Sequence, residues 1–159
     1  MKRAPKRLVR PVILACGLIL VVSVAFPAVA SARPVPRLAN PTATARPLVN
    51  RYLALLKSKN HAGLEQFLAP GFQIERADGS GDGKTAYLAD LPTIENFTVS
   101  KMTATESNGA LVVRYLAEVQ GVANGKPYTP GPAPRLSVFS WNGTRWQLAA
   151  HANFNPLTG

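Results

Sequence analysis

The sequence has few of the residues that cross-link small proteins or bind metals: one cysteine, two histidines and eight acidic residues among 159. Cys16 lies in the N-terminal apolar segment, so the domain that follows contains neither a disulfide nor a thiol nucleophile. His61 and His151 are far apart and have no histidine at i, i+4, which argues against a zinc site. We therefore predict no metal and no cofactor, and a fold that is stabilised by its apolar core.

Basic residues outnumber acidic ones, and the formal net charge is +10. Five of the 18 basic residues lie within positions 2–10, which leaves 13 basic against 8 acidic residues in the rest of the chain. These 13 are scattered, without the basic stripe or the alternation of basic and aromatic residues that a nucleic-acid groove needs. Nucleic-acid binding is therefore not predicted.

Residues 1–32 have the pattern of a secretory signal peptide. Basic residues precede an apolar run from Val12 to Phe26, and Ala30-Ser31-Ala32 supplies an A-x-A cleavage site. A transmembrane helix is disfavoured because the run is short and a Pro-rich segment follows it. A lipoprotein site at Cys16 is disfavoured because most of the apolar run follows the cysteine. We predict cleavage after Ala32 and secretion, with membrane contact only through the uncleaved segment.

Residues 33–43 are rich in Pro and Ala and are predicted to be a flexible leader, followed by one domain over residues 44–157. Apolar spacing predicts helices beginning near Leu48, with Pro47 in the first turn, and near Ala62 and Lys84. Helices followed by a run of antiparallel strands indicate an α+β fold with the helices on one face of the sheet. The Gly121–Pro134 segment is a long loop, acting either as a lid or as a spacer. The predicted strands are Phe72–Arg76, Phe97–Ala104, Ala110–Gln120, Arg135–Trp141 and Trp146–Phe154.

The stretch DGSGDGKTAY, from Asp78 to Tyr87, contains Gly-Lys-Thr and raises the question of a phosphate-binding loop. A Walker A loop needs glycine where this chain has Asp78. The preceding strand also alternates apolar and polar residues, whereas a buried parallel strand of a nucleotide fold is apolar throughout. We interpret the stretch as a turn in which Asp82 caps the third helix.

Two segments carry a family resemblance: RYLALLKSKNHAGLEQFLAPGFQIERADG (Arg51–Gly79) and GPAPRLSVFSWNGTRWQLAAHANFNP (Gly131–Pro156). With the order of elements between them, they resemble the nuclear transport factor 2-like (NTF2-like) superfamily over Thr44–Leu157, and within it the bacterial SnoaL-like and DUF4440-type domains. The resemblance implies a cone-shaped α+β domain whose curved sheet wraps the helices. It also implies a pocket between sheet and helices and frequent dimerisation through the outer sheet face.

The ketosteroid isomerase branch of this superfamily provides a test for catalysis. Its chemistry uses an oxyanion-binding tyrosine, a protonated carboxyl and a general-base carboxylate. By this resemblance Tyr52 falls on the tyrosine position, but Arg76 falls on the base position and Arg135 near the assisting carboxyl. Arginine stays protonated and cannot abstract a proton, and Glu75 points to the other face of its strand. The isomerase carboxylates are thus replaced, and no catalytic residue is assigned.

If Tyr52, Arg76 and Arg135 face one cavity, its two guanidinium groups favour a carboxylate- or phosphate-bearing ligand. The alternative is that Arg76 lies in solvent at a strand end and Arg135 at a sheet edge, each beside a surface acid. His151 shares a strand face with Gln147, Ala149 and Asn153, where it is either a pocket residue or a histidine on the sheet surface or dimer face. The candidate ligand-binding residues are Tyr52, Arg76, Tyr87, Arg135, His151 and Asn153.

The sequence leaves three functions open. The first is a non-catalytic binding or accessory module for a small, mostly apolar molecule, with an anionic group as one option. The second is an isomerase or lyase, of SnoaL or ketosteroid isomerase type, that needs His151 or Asp78 beside Tyr52. The third is a homodimeric interaction module that uses the outer sheet face. That face contains either Val112, Leu116, Leu136 and Val138 or their neighbours of opposite parity.

Overall fold

The computed structural model describes residues 34–158, so the predicted signal peptide with its cleavage site at Ala32 lies outside the described residues. All described residues belong to the unit Ser31–Gly159. Its elements, in chain order, are α1 (Pro41–Lys57), α2 (His61–Phe67), β1 (Leu68–Arg76), β2 (Gly81–Gly83), α3 (Lys84–Ala89), β3 (Thr93–Ser107), β4 (Ala110–Ala123), β5 (Lys126–Pro127), β6 (Ala133–Trp141) and β7 (Trp146–Asn153).

Helix α1 begins at Pro41, earlier than the sequence predicted. The Asn40 side chain accepts a hydrogen bond from the Ala43 amide and caps the helix, and proline is favourable at the first helical position because its missing N–H would be unpaired there. The last residues of the predicted leader, 41–43, are therefore helical, and Pro47 lies inside the helix rather than in its first turn. The face of α1 that enters the core consists of Ala45, Val49, Tyr52, Leu53 and Leu56.

The predicted capping of the third helix by Asp82 is wrong. The N-cap of α3 is Gly83, without a side-chain hydrogen bond. Asp82 lies in β2 and pairs instead with Arg76, at 2.6 Å between Oδ2 and Nη2. A charged partner at that distance competes effectively with a backbone amide for the carboxylate.

Lys84, the lysine of the Gly-Lys-Thr sequence, has a structural role. Its Nζ donates hydrogen bonds to the backbone carbonyls of Glu65 (2.7 Å) and Leu68 (3.2 Å). These carbonyls lie at the C-terminal end of α2, where helix carbonyls lack intrahelical partners and the helix dipole favours a cation. Lys84 thus joins α3 to the end of α2, which agrees with the rejection of a phosphate-binding loop.

The strands form one sheet in the order β2-β1-β7-β6-β4-β3, with β5 paired to β4. Strand β1 pairs with β7 in parallel, and the other pairs are antiparallel. Helix α1 packs on β3 and β4, and α2 packs on β7. The α+β class and the open, curled, mostly antiparallel sheet are as predicted. The 121–134 segment is more ordered than predicted, because β4 extends to Ala123 and pairs with β5 within it.

Strand β7 contains a bulge that the sequence analysis missed. Val138 pairs with Ala150 and Phe139 with Leu148, so Ala149 has no opposite residue in β6. The extra residue shifts the alternation by one position, and both Leu148 and His151 are buried although they are three positions apart in sequence, an offset that places residues of a regular strand on opposite faces. Strict alternation along this strand, which the sequence analysis assumed, was therefore wrong.

Burial shows which alternate residues of the strands face outward, a question that the sequence left open. Leu111, Val113 and Tyr115 of β4 are buried against the helices. Val112 and Leu136 lie on the opposite, outer face, and each is 38% exposed. Of the two sets of residues considered for the outer face, the first is therefore the one that lies on it: Val112, Leu116, Leu136 and Val138.

Candidate functional site

The six residues predicted for a pocket all line one cavity between the helices and the concave face of the sheet. This inner cavity has a volume of about 30 Å³. Beside it lies an outer cleft of about 270 Å³ near the C-terminal end of the described chain. The two spaces share Arg76, Tyr128 and Asn153 among their lining residues. The inner cavity brings together Tyr52, Arg76, Tyr87, Arg135, His151 and Asn153.

Two tyrosines from different helices meet in this cavity. The hydroxyl oxygens of Tyr52 on α1 and Tyr87 on α3 are 2.6 Å apart, so one hydroxyl donates to the other. Both side chains are 1% exposed. Burial raises the pKa of Tyr52 and of Tyr87 above the usual value. Both phenols are therefore neutral at physiological pH, and one of their two hydroxyl hydrogens remains available to a third group.

His151 lies beside this pair and is held by a second chain of hydrogen bonds. Its ring packs edge-on against the Tyr52 ring, with centroids 5.1 Å apart. Its Nδ1 is 3.0 Å from the Ser137 hydroxyl, which is 3.3 Å from the Tyr115 hydroxyl. Burial, and then the charge of Arg135, lowers the pKa of His151 to about 3. The imidazole is therefore neutral at pH 7, and a base of such low pKa is poorly matched to proton abstraction at that pH.

Arg135 is a buried cation without an acidic partner. It is 4% exposed, and no carboxylate of residues 34–158 lies within ion-pair distance of it. Within that range its one hydrogen bond runs from Nη1 to the Pro134 carbonyl, at 2.9 Å. Burial lowers its pKa, but a guanidinium remains protonated in proteins. No fully buried side-chain nitrogen of the described residues lacks a partner, so Nε and Nη2 of Arg135 border accessible space.

Arg76, the second predicted cation, differs from Arg135 because it is already paired. Its ion pair with Asp82 neutralises its charge at the boundary between the inner cavity and the outer cleft. The structure therefore agrees with neither simple expectation. Arg76 does line the cavity, as a pocket residue would, but it has an acidic partner, as a surface residue would.

Asn153 and two residues that the sequence analysis missed, Tyr128 and Asn155, form part of the wall of the outer cleft. The Asn155 amide donates to Asn153 Oδ1 at 2.9 Å, and Asn155 Nδ2 donates to the Thr129 carbonyl at 3.1 Å. Tyr128 lines both spaces. It was missed because the sequence analysis interpreted residues 121–134 as an unstructured loop. The dipeptide Asn124-Gly125, a common hairpin turn, was the available signal that this segment folds back.

Asp78, the alternative acid for an isomerase, lies in the outer cleft and is not among the residues that line the inner cavity. Its Oδ1 accepts hydrogen bonds from the Ser80 hydroxyl and amide, and the first of these is the main cause of its lowered pKa. Of the two acid–base candidates, His151 lies beside Tyr52 and Asp78 does not.

Residues 34–158 contain no group of three His, Cys, Asp or Glu side chains that could bind a metal ion. In the same part of the chain no helix is both long enough and apolar enough to cross a membrane.

Comparison with solved structures shows the fold. The chain is similar to an NTF2-like protein from Cytophaga hutchinsonii, at 14% identity and a TM-score of 0.64, over 69% of this chain and 93% of that one. It is similar to an NTF2-like protein of unknown function in nutrient uptake from Rhodospirillum rubrum (18% identity, TM-score 0.58, 70% and 96% covered). It is also similar to the CaMKII hub of S. rosetta (12% identity, TM-score 0.56, 77% and 100% covered). No protein-family model and no curated protein matches the sequence.

Proposed function

Starting from the NTF2-like fold, we propose that this chain is a secreted, non-catalytic binding or accessory module whose concave face receives a small, mostly apolar molecule with an anionic group. Pockets that bind small molecules are mostly apolar, with a few polar groups aimed inward. The inner cavity has this composition, since Leu53, Leu56 and Ile94 share its lining with the polar candidates.

One observation carries the proposal: Arg135 is a buried guanidinium without a carboxylate partner among residues 34–158. A buried charge without compensation costs several kcal/mol in protein interiors, by order of magnitude. Buried charges are therefore normally paired. An anionic ligand at Nε and Nη2 of Arg135 supplies the missing partner.

The site favours binding over catalysis. Neither arginine can take a proton from carbon, and the neutral His151 has a pKa of about 3. The tyrosines are neutral donors whose hydroxyl groups have raised pKa values. Together these groups can hold and orient an anion, and none of them is a base that is active near neutral pH. Asp90, the carboxylate among the described lining residues of the inner cavity, lies at an exposed position.

The test is native mass spectrometry of the protein purified from its own culture medium, repeated after denaturation. Secretion with cleavage after Ala32 predicts the mass of residues 33–159. Binding predicts an additional small mass that is lost on denaturation. Arg46, exposed on helix α1, provides the control. The additional mass should disappear from Arg135→Met and remain with Arg46→Met. Protein without the additional mass, even after incubation with an extract of the medium, would count against the binding proposal.

A second candidate function is a small-molecule isomerase or lyase, because the Tyr52 and Tyr87 hydroxyls, 2.6 Å apart, can stabilise a developing oxyanion next to His151. The test is proton NMR of a β,γ-unsaturated ketone in deuterated water with the protein present. An enzyme would shift the double bond or exchange the α-proton, and Tyr52→Phe would slow this strongly. A rate equal to that without protein excludes this activity for that substrate class.

A further inference from the structure

We propose that the ligand of the inner cavity is a monocarboxylate that enters carboxylate first and places its two oxygens on Nε and Nη2 of Arg135. This inference rests on the proposed binding function and specifies its ligand class. It follows from the charge, shape and size of the two adjacent spaces, which share lining residues.

The charges that surround the two spaces leave one buried positive charge unbalanced. Arg76 is neutralised by Asp82. Asp78 and Lys126 bring one charge of each sign to the outer cleft. Asp90 reaches the inner cavity from an exposed position, where water screens its charge. A ligand with a single negative charge would therefore balance the charge of Arg135.

The free atoms of Arg135 match a carboxylate in shape. Nη1 is bonded to the Pro134 carbonyl, whereas Nε and Nη2 have no hydrogen-bond partner among residues 34–158 and retain accessible surface, and Arg135 lines the inner cavity. These two nitrogens form one edge of the planar guanidinium, which binds the two oxygens of a carboxylate by parallel hydrogen bonds. The hydroxyl hydrogen left over from the pair of Tyr52 and Tyr87 is a further donor in the same cavity.

The size of the inner cavity selects against larger anions. A volume of about 30 Å³ has room for roughly one or two water molecules, which is about the space of two carboxylate oxygens. A phosphate monoester brings three oxygens and a charge of about −1.5 to −2. It would need more room and a second unpaired cation.

The outer cleft accommodates the rest of the ligand. Its volume of about 270 Å³ corresponds to on the order of ten non-hydrogen atoms, at about 30 Å³ for each water-sized group. Leu157, Pro156 and the Tyr128 ring give this cleft apolar surface. The ligand is therefore a small acid with a short aliphatic or aromatic body, and the body points towards residues 155–157.

The inference is tested by comparing matched probes on the purified protein by isothermal titration calorimetry and saturation-transfer NMR. The probes are hexanoate and benzoate, their uncharged amides hexanamide and benzamide, and hexyl phosphate. We expect each acid to bind at least about tenfold more tightly than its amide, because hydrogen bonds to a charged group are stronger than neutral ones. Hexyl phosphate is expected to bind more weakly than hexanoate.

Two variants identify the residue responsible. In Arg135→Met, acid affinity should fall to that of the amide while amide affinity is retained, and Arg46→Met, at an exposed position of α1, should behave as the wild type. Arg135→Lys keeps the charge and loses the planar pair of donors, so this variant should keep only part of the preference for the acid over its amide. If Arg135→Met fails to fold, comparing the affinities of acid and amide for the wild type and for Arg135→Lys still tests whether Arg135 binds the carboxylate.

Equal affinity for acid and amide, or tighter binding of hexyl phosphate, would overturn the monocarboxylate assignment and leave the binding function standing. Absence of binding by all five probes at millimolar concentration would overturn the assignment as well. In that case native mass spectrometry shows whether the binding function fails with it.

Discussion

Under the proposed function, Arg135 serves ligand binding at the expense of stability. A buried cation with a single hydrogen bond to a neighbouring carbonyl is poorly solvated. Apolar replacements of buried charged groups are often neutral or stabilising, whereas buried charges that function requires are kept despite their cost. The ligand-free protein should therefore become more stable when this charge is removed.

Arg135→Met is predicted to raise the free energy of unfolding of the ligand-free protein by on the order of 1 kcal/mol or more, because the buried charge is replaced by an apolar side chain of similar length. Urea unfolding followed by circular dichroism measures this change. Arg46→Met, at an exposed position of α1, should stay within about 0.5 kcal/mol of the wild type. A loss of stability in Arg135→Met would mean that this guanidinium already has a stabilising partner.

Because His151 is buried and its pKa is lowered, we expect the free energy of unfolding to depend on pH. Its pKa falls from 6.5 in the unfolded chain to about 3 in the folded protein. Between these two pH values the unfolded state binds more protons than the folded state. The contribution of His151 to the free energy of unfolding is therefore complete above pH 6.5 and is lost as the pH falls towards 3, by at most about 1.4 kcal/mol per pH unit. In His151→Gln the unfolding free energy should depend less on pH in this window. His61→Gln, at an exposed position, should keep the wild-type slope.

The site residues were predictable where the chain aligns without gaps. Tyr52 and Arg76 follow one uninterrupted stretch of the family pattern, and both line the inner cavity. The ion pair of Arg76 was not predictable, because Asp82 meets it only through the pairing of β1 with β2. Tyr128 was missed because its position depends on the short strand β5 and on contacts with the end of the chain.

At the scale of elements, errors arose where one residue changes the local geometry. The β7 bulge at Ala149 shifts the alternation, and it brings both Leu148 and His151 to the buried face. Alternation in the sequence cannot reveal a bulge when the residue involved is alanine, since alanine fits either face. The start of α1 was missed because Pro41 was assigned to the leader, although proline is favourable at the first position of a helix.

Gly121 marks a close approach of β3 and β4. Its φ is +154°, and a Cβ at this position would lie 2.0 Å from the Thr93 carbonyl oxygen. Because that neighbour is backbone, it cannot move aside without disturbing the strand pairing. Gly121→Ala is therefore predicted to lower the free energy of unfolding by more than about 2 kcal/mol, as measured by urea unfolding.

The matched control for this prediction is Gly71→Ala. Nothing lies within 4 Å of a Cβ at Gly71. Its replacement should change the free energy of unfolding by no more than about 0.5 kcal/mol. Similar losses in the two variants would contradict the assignment of a close backbone contact to Gly121.

At the scale of the whole molecule, the fold was predicted with few errors because hydrophobic pattern and element order are properties of long segments. The four long strands from β3 to β7 each contain several apolar or β-branched residues, and their separating turns are marked by Asn-Gly pairs or proline. Function was harder to predict from the sequence, because the same fold supports many activities and the site depends on single side chains. The secreted location, the SnoaL-like subgroup and the dimer remain predictions.

The outer sheet face provides a prediction about oligomeric state. Val112 and Leu136 are each 38% exposed on this face, and Val138 lies beside them. A second copy of the chain is the partner that we expect to cover them, as the family resemblance implies. Sedimentation velocity should give the mass of a dimer for the wild type and of a monomer for Leu136→Glu, with Ala54→Glu, at an exposed position of α1, as control. A monomeric wild type at tens of micromolar would exclude this dimer.

The parallel pairing of β1 with β7 has a consequence for how the protein reaches its native state. Ile74 faces His151 across this pair, so a strand from the first half of the domain is completed by a strand at its end. Contacts between residues so distant in sequence form slowly, because a long loop must close before they can stabilise anything. During synthesis β1 can pair early with its neighbour β2, but the edge of β1 that pairs with β7 stays open until β7 has been made. The complete sheet can therefore form only after β7 has been synthesised.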